Sequence, residues 1–306
     1  MLYQICFDVV TCQFISLLFI VNIYMQERKN VALVTGSSSG IGFETALLLS
    51  KSGFHTYASM RNLEKSKNIT EIASTEKLPL QVVQLDVNDD RSVKDAIDKI
   101  VAEKERIDVL VNNAGYGLFG SLEDISIEEI KAQFETNFFG VIRVTQQVLP
   151  VMRKQKSGTI VNVSSVGGRI GVPILSAYQS TKFALEGLSE SMLYELEPFR
   201  IRVVIIEPGF IRTNIINSST SAKKDLDPKS PYCSLMQKVK NHFKSMMENP
   251  SSSPPEEVAK VILQATTSEN PQLRYTVGDD ADTIIQARMN MPDKEFRKMI
   301  IQNFSM

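Results

Sequence analysis

Histidine, cysteine and surplus charge are the scarce ingredients of this 306-residue chain, and each scarcity removes a class of function. Two histidines, His55 and His242, and three cysteines, Cys6, Cys12 and Cys233, are too few and too scattered for a disulfide framework or a Cys/His zinc site. The reading is a reducing cytoplasmic setting and no metal. Lys and Arg number 34 against 35 for Asp and Glu, a formal net charge of −1, which leaves no basic excess to attract nucleic acid. A Ser-His-Asp hydrolase is excluded as well, because His55 falls in an expected strand and His242 in an irregular region, away from any candidate serine. Internal repeats and dividing linkers are missing. What is plentiful is apolar side chain, 43% of residues, enough for a sizeable core.

The N-terminus reads separately from the rest. From Val9 to Gln26 no residue is charged, a stretch at the short end for a membrane span, which needs about 20 residues. No basic segment precedes it, so a cleaved secretory signal is not expected. It is either a single anchor with Arg28 and Lys29 on the cytoplasmic side or an upstream extension of a frame whose start is Met25. The second reading is favoured, because Asp8, Gln13 and Asn22 would make a mediocre span. Residues 1–28 are therefore set apart from a domain covering 29–306.

From Val31 short apolar runs alternate with amphipathic segments, the signature of strand-helix repeats. Strands are expected at Val31–Thr35, Phe54–Ser59, Leu80–Gln84, Val109–Val111, Thr159–Val163, Arg202–Ile206 and Leu273–Val277. Helices are expected at Gly42–Ser52, Ser92–Lys104, Ile127–Met152, Ala177–Glu197 and Pro255–Thr266. The fold class is α/β, a doubly wound seven-stranded parallel sheet with helices on both faces in a single domain. Regularity fails across 214–254, an excursion long enough to be either disordered or functional, although Cys233–Met247 carries a helical apolar stripe.

Thr35-Gly36-Ser37-Ser38-Ser39-Gly40-Ile41-Gly42 follows the first strand and opens a helix. Glycines there permit positive φ and close approach to a pyrophosphate whose charge the helix N-terminus stabilises. The second strand ends at Arg61, in the place that faces the adenosine ribose. With Ser39 it suits a 2′-phosphate, so NADP(H) is favoured over NAD(H). Asp86 and Val87 follow the third strand and could meet the adenine; Asp86 could equally cap a helix. Asn112-Asn113-Ala114-Gly115 ends the fourth strand, where open α/β sheets bind ligands. Asn137 sits in an otherwise apolar helix face, where its amide must bond backbone or hold a water. Ser165 closes the fifth strand, and Tyr178 and Lys182 lie one helical turn apart. An ammonium beside a phenol favours the phenolate, so this pair could move a proton.

These motifs, in this order, resemble the short-chain dehydrogenase/reductase family in its single-domain branch, from about Lys29 to Gly278. The resemblance implies catalysis by Asn137, Ser165, Tyr178 and Lys182. Tyr178 would serve as general acid and base, Ser165 as a grip on the substrate oxygen, and Lys182 as a ribose contact that, with the positive charge of the oxidised nicotinamide, lowers the Tyr178 pKa. Asn137 would position a water. Cofactor contacts are implied for Gly36, Ser38, Ser39, Gly40, Ile41, Gly42, Arg61, Asp86, Val87, Asn113, Ala114, Gly115, Tyr178 and Lys182. The turn Pro208-Gly209-Phe210-Ile211-Arg212-Thr213 looks like the family's nicotinamide contact, through Pro208, Gly209, Ile211 and Thr213. The substrate is expected to be read by Gly117–Leu122, Gly168–Leu175 and the Ile215–Met247 part of the 214–254 excursion. The run Ser165–Pro173 and the stretch Phe183–Leu188 are most similar to those of hydroxysteroid and retinol dehydrogenases. That implies a lipophilic alcohol or ketone in a pocket of Tyr116, Leu118, Phe119, Ile215 and Ile216. A 3-oxoacyl-type or broad carbonyl reductase is the alternative enzyme, an NADP-sensing binding protein the non-enzyme one. Family members commonly associate through the Asn137 and Tyr178 helices, which implies a homodimer or homotetramer.

Overall fold

The computed structural model describes residues 29–212, 219–248, 252–304 and 306. The chain divides into two units, Met1–Asn30 and Val31–Met306, and only Lys29 and Asn30 of the first are described. Val9–Gln26 and Met25 therefore lie outside the described residues. Within these, no helix is long and apolar enough to cross a membrane.

The second unit begins with β1 (Val31–Val34), α1 (Gly40–Lys51), β2 (His55–Met60), α2 (Lys67–Thr75), β3 (Leu80–Gln84), α3 (Asp90–Lys104) and β4 (Val109–Asn112). Next come β5 (Leu118–Phe119), α4 (Ile127–Phe134), α5 (Gly140–Gln155), β6 (Gly158–Val163), α6 (Ser176–Leu196) and β7 (Ile201–Pro208). The last part holds β8 (Thr220–Ser221), α7 (Cys233–Glu248), α8 (Pro255–Thr267), β9 (Arg274–Val277), α9 (Asp279–Asn290) and α10 (Asp293–Asn303).

All seven expected strands enter one sheet in the order β3-β2-β1-β4-β6-β7-β9, and every neighbouring pair is parallel. β5 and β8 form a separate parallel ribbon. Strand alternation explains the two layers of core. Ala32 and Val34 of β1 pack with Ala46 and Leu49 of α1 and with Val258 and Ile262 of α8. Val31 and Leu33 face the opposite side, with Ile97 and Ile100 of α3, Val144 and Val148 of α5, and Met192 of α6. Because helices cover both faces, the central strands read as unbroken apolar runs. Strand order reverses between β1 and β4, and the cleft beyond their carboxyl ends is where a doubly wound sheet receives a ligand.

The expected single helix Ile127–Met152 is two helices joined by a π-turn at Glu135–Phe139. Asn137 lies in that turn, a single-turn π-bulge of the kind often found at functional sites. A capping box of Ser126 and Glu129 starts α4. In the excursion, α7 reproduces the expected helix to within one residue. Helices α2, α9 and α10 were not expected. Their buried residues are few, only Ile69 and Ala73, Ala281 and Ile285, and Phe296 respectively, too sparse a stripe to signal a helix.

Candidate active site

The glycine turn is built by close approach of β1 and β4. Gly36 has φ +69 and Gly40 φ +61, the left-handed region that glycine adopts without strain. Thr35 Oγ1 accepts from the N–H groups of Asn113 and Ala114 at 2.9 and 3.0 Å. The Asn113 amide donates to the carbonyls of Thr35 and Gly36 at 2.9 and 3.2 Å. Asn113 thus has its side chain committed to holding the turn, which the sequence did not reveal. Ser39 is the N-cap of α1 and makes no side-chain cap bond, so no side chain caps the first N–H groups of the helix. An anion fits there. Ser38 and Ile41 are half-buried beside it, and Ser39 is exposed.

Arg61 is exposed directly after β2, and its carbonyl accepts from Gln84. Asp86 is half-buried and accepts from Asn88 N–H at 3.0 Å, while Asp89 caps α3 by accepting from Ser92 N–H. The helix-cap alternative for Asp86 is therefore corrected. Val87 is buried against Gly140, where a Cβ would stand 2.9 Å from it. Gly115 approaches Asn137, whose Oδ1 would be 3.1 Å from a Cβ there. Across the cleft, Pro208 ends β7 and Gly209 N–H donates to Val277 O at 2.9 Å. The Asp280 carboxylate accepts from Phe210 N–H at 2.6 Å. Ile211 is buried and bridges to Ser253. Thr213 lies outside the described residues.

Ser165, Tyr178 and Lys182 converge on the wall of one cavity of about 560 Å³. The end of β6 and the start of α6 place them. A buried chain ties those two elements together: Asn112 donates to Asn162 Oδ1 at 2.9 Å, and Asn162 donates to Ser189 Oγ at 2.8 Å. Ser165 accepts from Gly167 N–H at 3.0 Å, which fixes its side chain. Lys182 is 7% exposed, donates to Val163 O at 2.8 Å and lies 5.8 Å from the Tyr178 ring centroid. Burial pushes the Tyr178 phenol upward, and a hydrogen bond with Ser165 pulls the other way. For the chain alone burial is the larger influence on Tyr178; the lowering expected from Lys182 belongs to the state that also carries the nicotinamide's positive charge. Burial also pushes Lys182 down to about 8, against the opposing charge of Glu186.

Asn137 does not line the cavity. Its Oδ1 accepts from Tyr116 N–H at 3.1 Å, and its Nδ2 donates to Tyr116 O at 2.9 Å and to Thr181 Oγ1 on α6 at 3.4 Å, so the amide is spent on the protein. Of the expected pocket residues, Tyr116 and Phe119 line the cavity. Leu118 instead faces a small cluster with Ile125, Ala177 and Ala222, because neighbouring strand residues point to opposite sides. Ile215 and Ile216 lie outside the described residues. The far wall comes partly from α7, within the excursion expected to read the substrate, through His242, Phe243 and Met246; the sequence missed the rest, which α9, α10 and the residue after α10 supply through Ile284, Ile300 and Phe304. Phe243 touches Phe119, Phe210 and Phe304, with ring centroids 5.6, 6.0 and 6.1 Å away. Burial lowers the His242 pKa. Among the described residues no group of three His, Cys, Asp or Glu is placed to hold a metal ion.

A parallel doubly wound sheet with a phosphate turn at its switch point and a Ser/Tyr/Lys wall defines a nucleotide-dependent oxidoreductase. The short chain dehydrogenase family model matches residues 30–224, and the chain belongs to that family. It is 41% identical over 255 residues to an uncharacterized oxidoreductase of Bacillus subtilis, YusZ, covering 82% of this chain and 90% of the relative. It is 37% identical over 262 residues to retinol dehydrogenase 8 of Bos taurus, covering 82% of each. The solved structure of ElxO with NADP bound superposes with a TM-score of 0.69 at 29% identity, covering 83% of this chain and 99% of that one. The chain is an NAD(P)-using oxidoreductase acting on CH–OH donors.

Proposed function

We propose that the protein is an NADP(H)-dependent enzyme that interconverts a lipophilic ketone or aldehyde with its alcohol, with Tyr178 as general acid and base. The observation that carries this reading is the convergence of Ser165, Tyr178 and Lys182 on one cavity whose far wall is aromatic and aliphatic. When bound, the nicotinamide gives or takes the hydride. The Gly36–Gly42 turn, including Ser38, Gly40 and Ile41, would hold the pyrophosphate, and Asp86 and Val87 the adenine side. Asn113, Ala114 and Gly115 would border the ribose, Pro208, Gly209, Ile211 and Thr213 the nicotinamide. Arg61 and Ser39, both exposed at the ribose end, support a 2′-phosphate, as does the likeness to ElxO with NADP bound.

Burial keeps Tyr178 a neutral phenol at neutral pH, the form that donates a proton to the substrate oxygen during reduction and recovers it in oxidation. Ser165 donates a second hydrogen bond to the same oxygen. Lys182, with a pKa of about 8, is mainly ammonium at pH 7 and available to ribose hydroxyls. Asn137 acts by fixing Tyr116 in the wall. Four phenylalanines and the similarity to retinol dehydrogenase 8 support a lipophilic substrate. Exposed Phe139 and Phe183 near the Asn137 and Tyr178 turns support self-association.

NADPH consumption against a panel of retinoids, steroids, ketones and aldehydes tests the reading. Tyr178→Phe is expected to keep NADPH affinity and lose about a hundredfold or more in turnover; retained turnover overturns the catalytic assignment. NADH binding as tightly as NADPH overturns the cofactor assignment.

A further inference from the structure

Behind the Tyr178 and Lys182 pair stands a charged cluster that the reaction as described does not use. Glu186 follows Lys182 by one turn of α6 and is 6% exposed. Its Oε2 receives Arg274 Nε from β9 at 3.0 Å, and the same nitrogen lies 3.2 Å from Oε1 of Glu207 on β7. Glu207, 1% exposed, also receives Arg169 Nη1 at 2.9 Å, and Arg274 Nη2 reaches Glu190 at 2.7 Å. A buried cluster of this kind is a poor source of stability, since apolar packing would serve as well. Its placement is specific. Arg169 belongs to the loop after Ser165, Glu207 precedes the Pro208 turn, and Glu186 is on the helix of Lys182.

We propose that Glu186 is a positioning residue that acts through Lys182: oriented by Arg274, its carboxylate keeps the Lys182 ammonium charged and so sets the pH range of proton transfer. This rests on the reading of Tyr178 and Lys182 given above. Burial in the cavity wall favours a neutral Lys182, and Glu186, one turn along the helix, is the charge that opposes it; burial and Glu207 push the Glu186 carboxyl upward as well, and Ser164 and Arg274 pull it back. The remaining groups around Lys182 are the Tyr178 phenol on its own helix and the Val163 carbonyl of β6. His242 of α7 and Asp279 and Asp280 of α9 line the same cavity. Arg274, Arg169, Glu207 and Glu190 complete the cluster behind Glu186. The sign follows. Neutralising Glu186 removes the charge that opposes burial, so Lys182 loses its proton at lower pH.

Competitive acetylation of the full chain with acetic anhydride across pH, read at the Lys182 peptide by mass spectrometry, measures its protonation without turnover. Glu186→Gln is expected to move the Lys182 midpoint down by about one pH unit, and the alkaline limb of kcat/KM for NADPH with retinal by the same amount. Glu186→Asp, which sets the carboxylate back by one methylene, should give a smaller shift in the same direction, and it carries the test if Glu186→Gln does not fold. A purely structural role would lower the melting temperature and leave the midpoint in place, and an unmoved midpoint overturns the proposal. Loss of function in the Tyr178 reading would appear instead as absent wild-type NADPH consumption, with the labelling result intact.

Discussion

Gly42→Ala separates two explanations of the phosphate turn, glycine flexibility and close packing. Gly42 lies inside α1 and its φ is not positive, so alanine suits its backbone and would favour the helix by about 1 kcal/mol. Packing opposes it. The new Cβ would stand 2.4 Å from Asn113 Nδ2 and 2.5 Å from Gly36 O, far inside the roughly 3.5 Å of ordinary contact. Gly36 O is backbone within the turn, so the Asn113 amide must leave and give up its bonds to Thr35 and Gly36. Those two bonds are worth about 1 kcal/mol each, and overpacking adds about 1–3 kcal/mol. The net loss is about 2–4 kcal/mol, a fall in melting temperature of roughly 3–7 °C for a domain of this size. NADPH affinity should drop tenfold or more, because the turn spreads. Thermal melts with and without NADPH read both effects, since a ligand stabilises the native state by mass action. Adding Asn113→Ala should relieve only part of the loss, because the Gly36 O contact persists, and the two changes should be non-additive. An unchanged melting temperature together with unchanged NADPH affinity would refute the packing explanation.

Glu207→Ala leaves Arg169 and Arg274 without their shared buried carboxylate; a loss of about 3–5 kcal/mol is expected in urea unfolding, with Glu207→Gln losing less. Asp280→Ala removes the acceptor of Phe210 N–H. Asp280 is exposed, so the melting temperature should barely move while titration shows NADPH bound several-fold more weakly; equal affinity would separate Asp280 from the proposed cofactor site.

The sheet was legible because both of its faces are covered. Strands such as Val31–Val34 and Ile201–Pro208 have nearly every residue buried, and continuous apolar runs between amphipathic helices admit few other architectures. Tyr178 and Lys182 were legible for a related reason, since one helical turn separates them, whereas Ser165, at a strand end on another element, joined them only through the family resemblance. Contacts across long sequence separations were hidden. Nothing local in Asn113 distinguishes an amide that clamps Gly36 from one that meets a ligand, and nothing in Asn137 reveals Tyr116 as its partner. The far wall was hidden differently, because α9 and α10 bury only Ala281, Ile285 and Phe296 in the core, while residues such as Ile284 and Ile300 face the cavity. A helix whose apolar residues serve a cavity lacks the stripe that marks a core helix.

The division between sheet and wall also bears on how substrate choice and proton chemistry are joined. The wall is supplied largely by α7, α9 and α10, outside the repeats that carry the turn and the Ser165, Tyr178 and Lys182 set. In principle it can change residue by residue while the chemistry stays fixed. The exception is β9, the strand that leads through Gly278 into α9. Its first residue, Arg274, joins Glu186 to Glu207, its last, Val277, accepts from Gly209 N–H, and just beyond it Asp280 at the start of α9 latches Phe210 N–H in the Pro208–Arg212 turn. A substitution in α9 that only reshapes the cavity should alter KM across substrates. One that shifts β9 moves Arg274 relative to Glu186, and with it the environment of Lys182, so it should alter the pH dependence for every substrate alike. That difference distinguishes a residue that reads the substrate from one that holds the reaction centre.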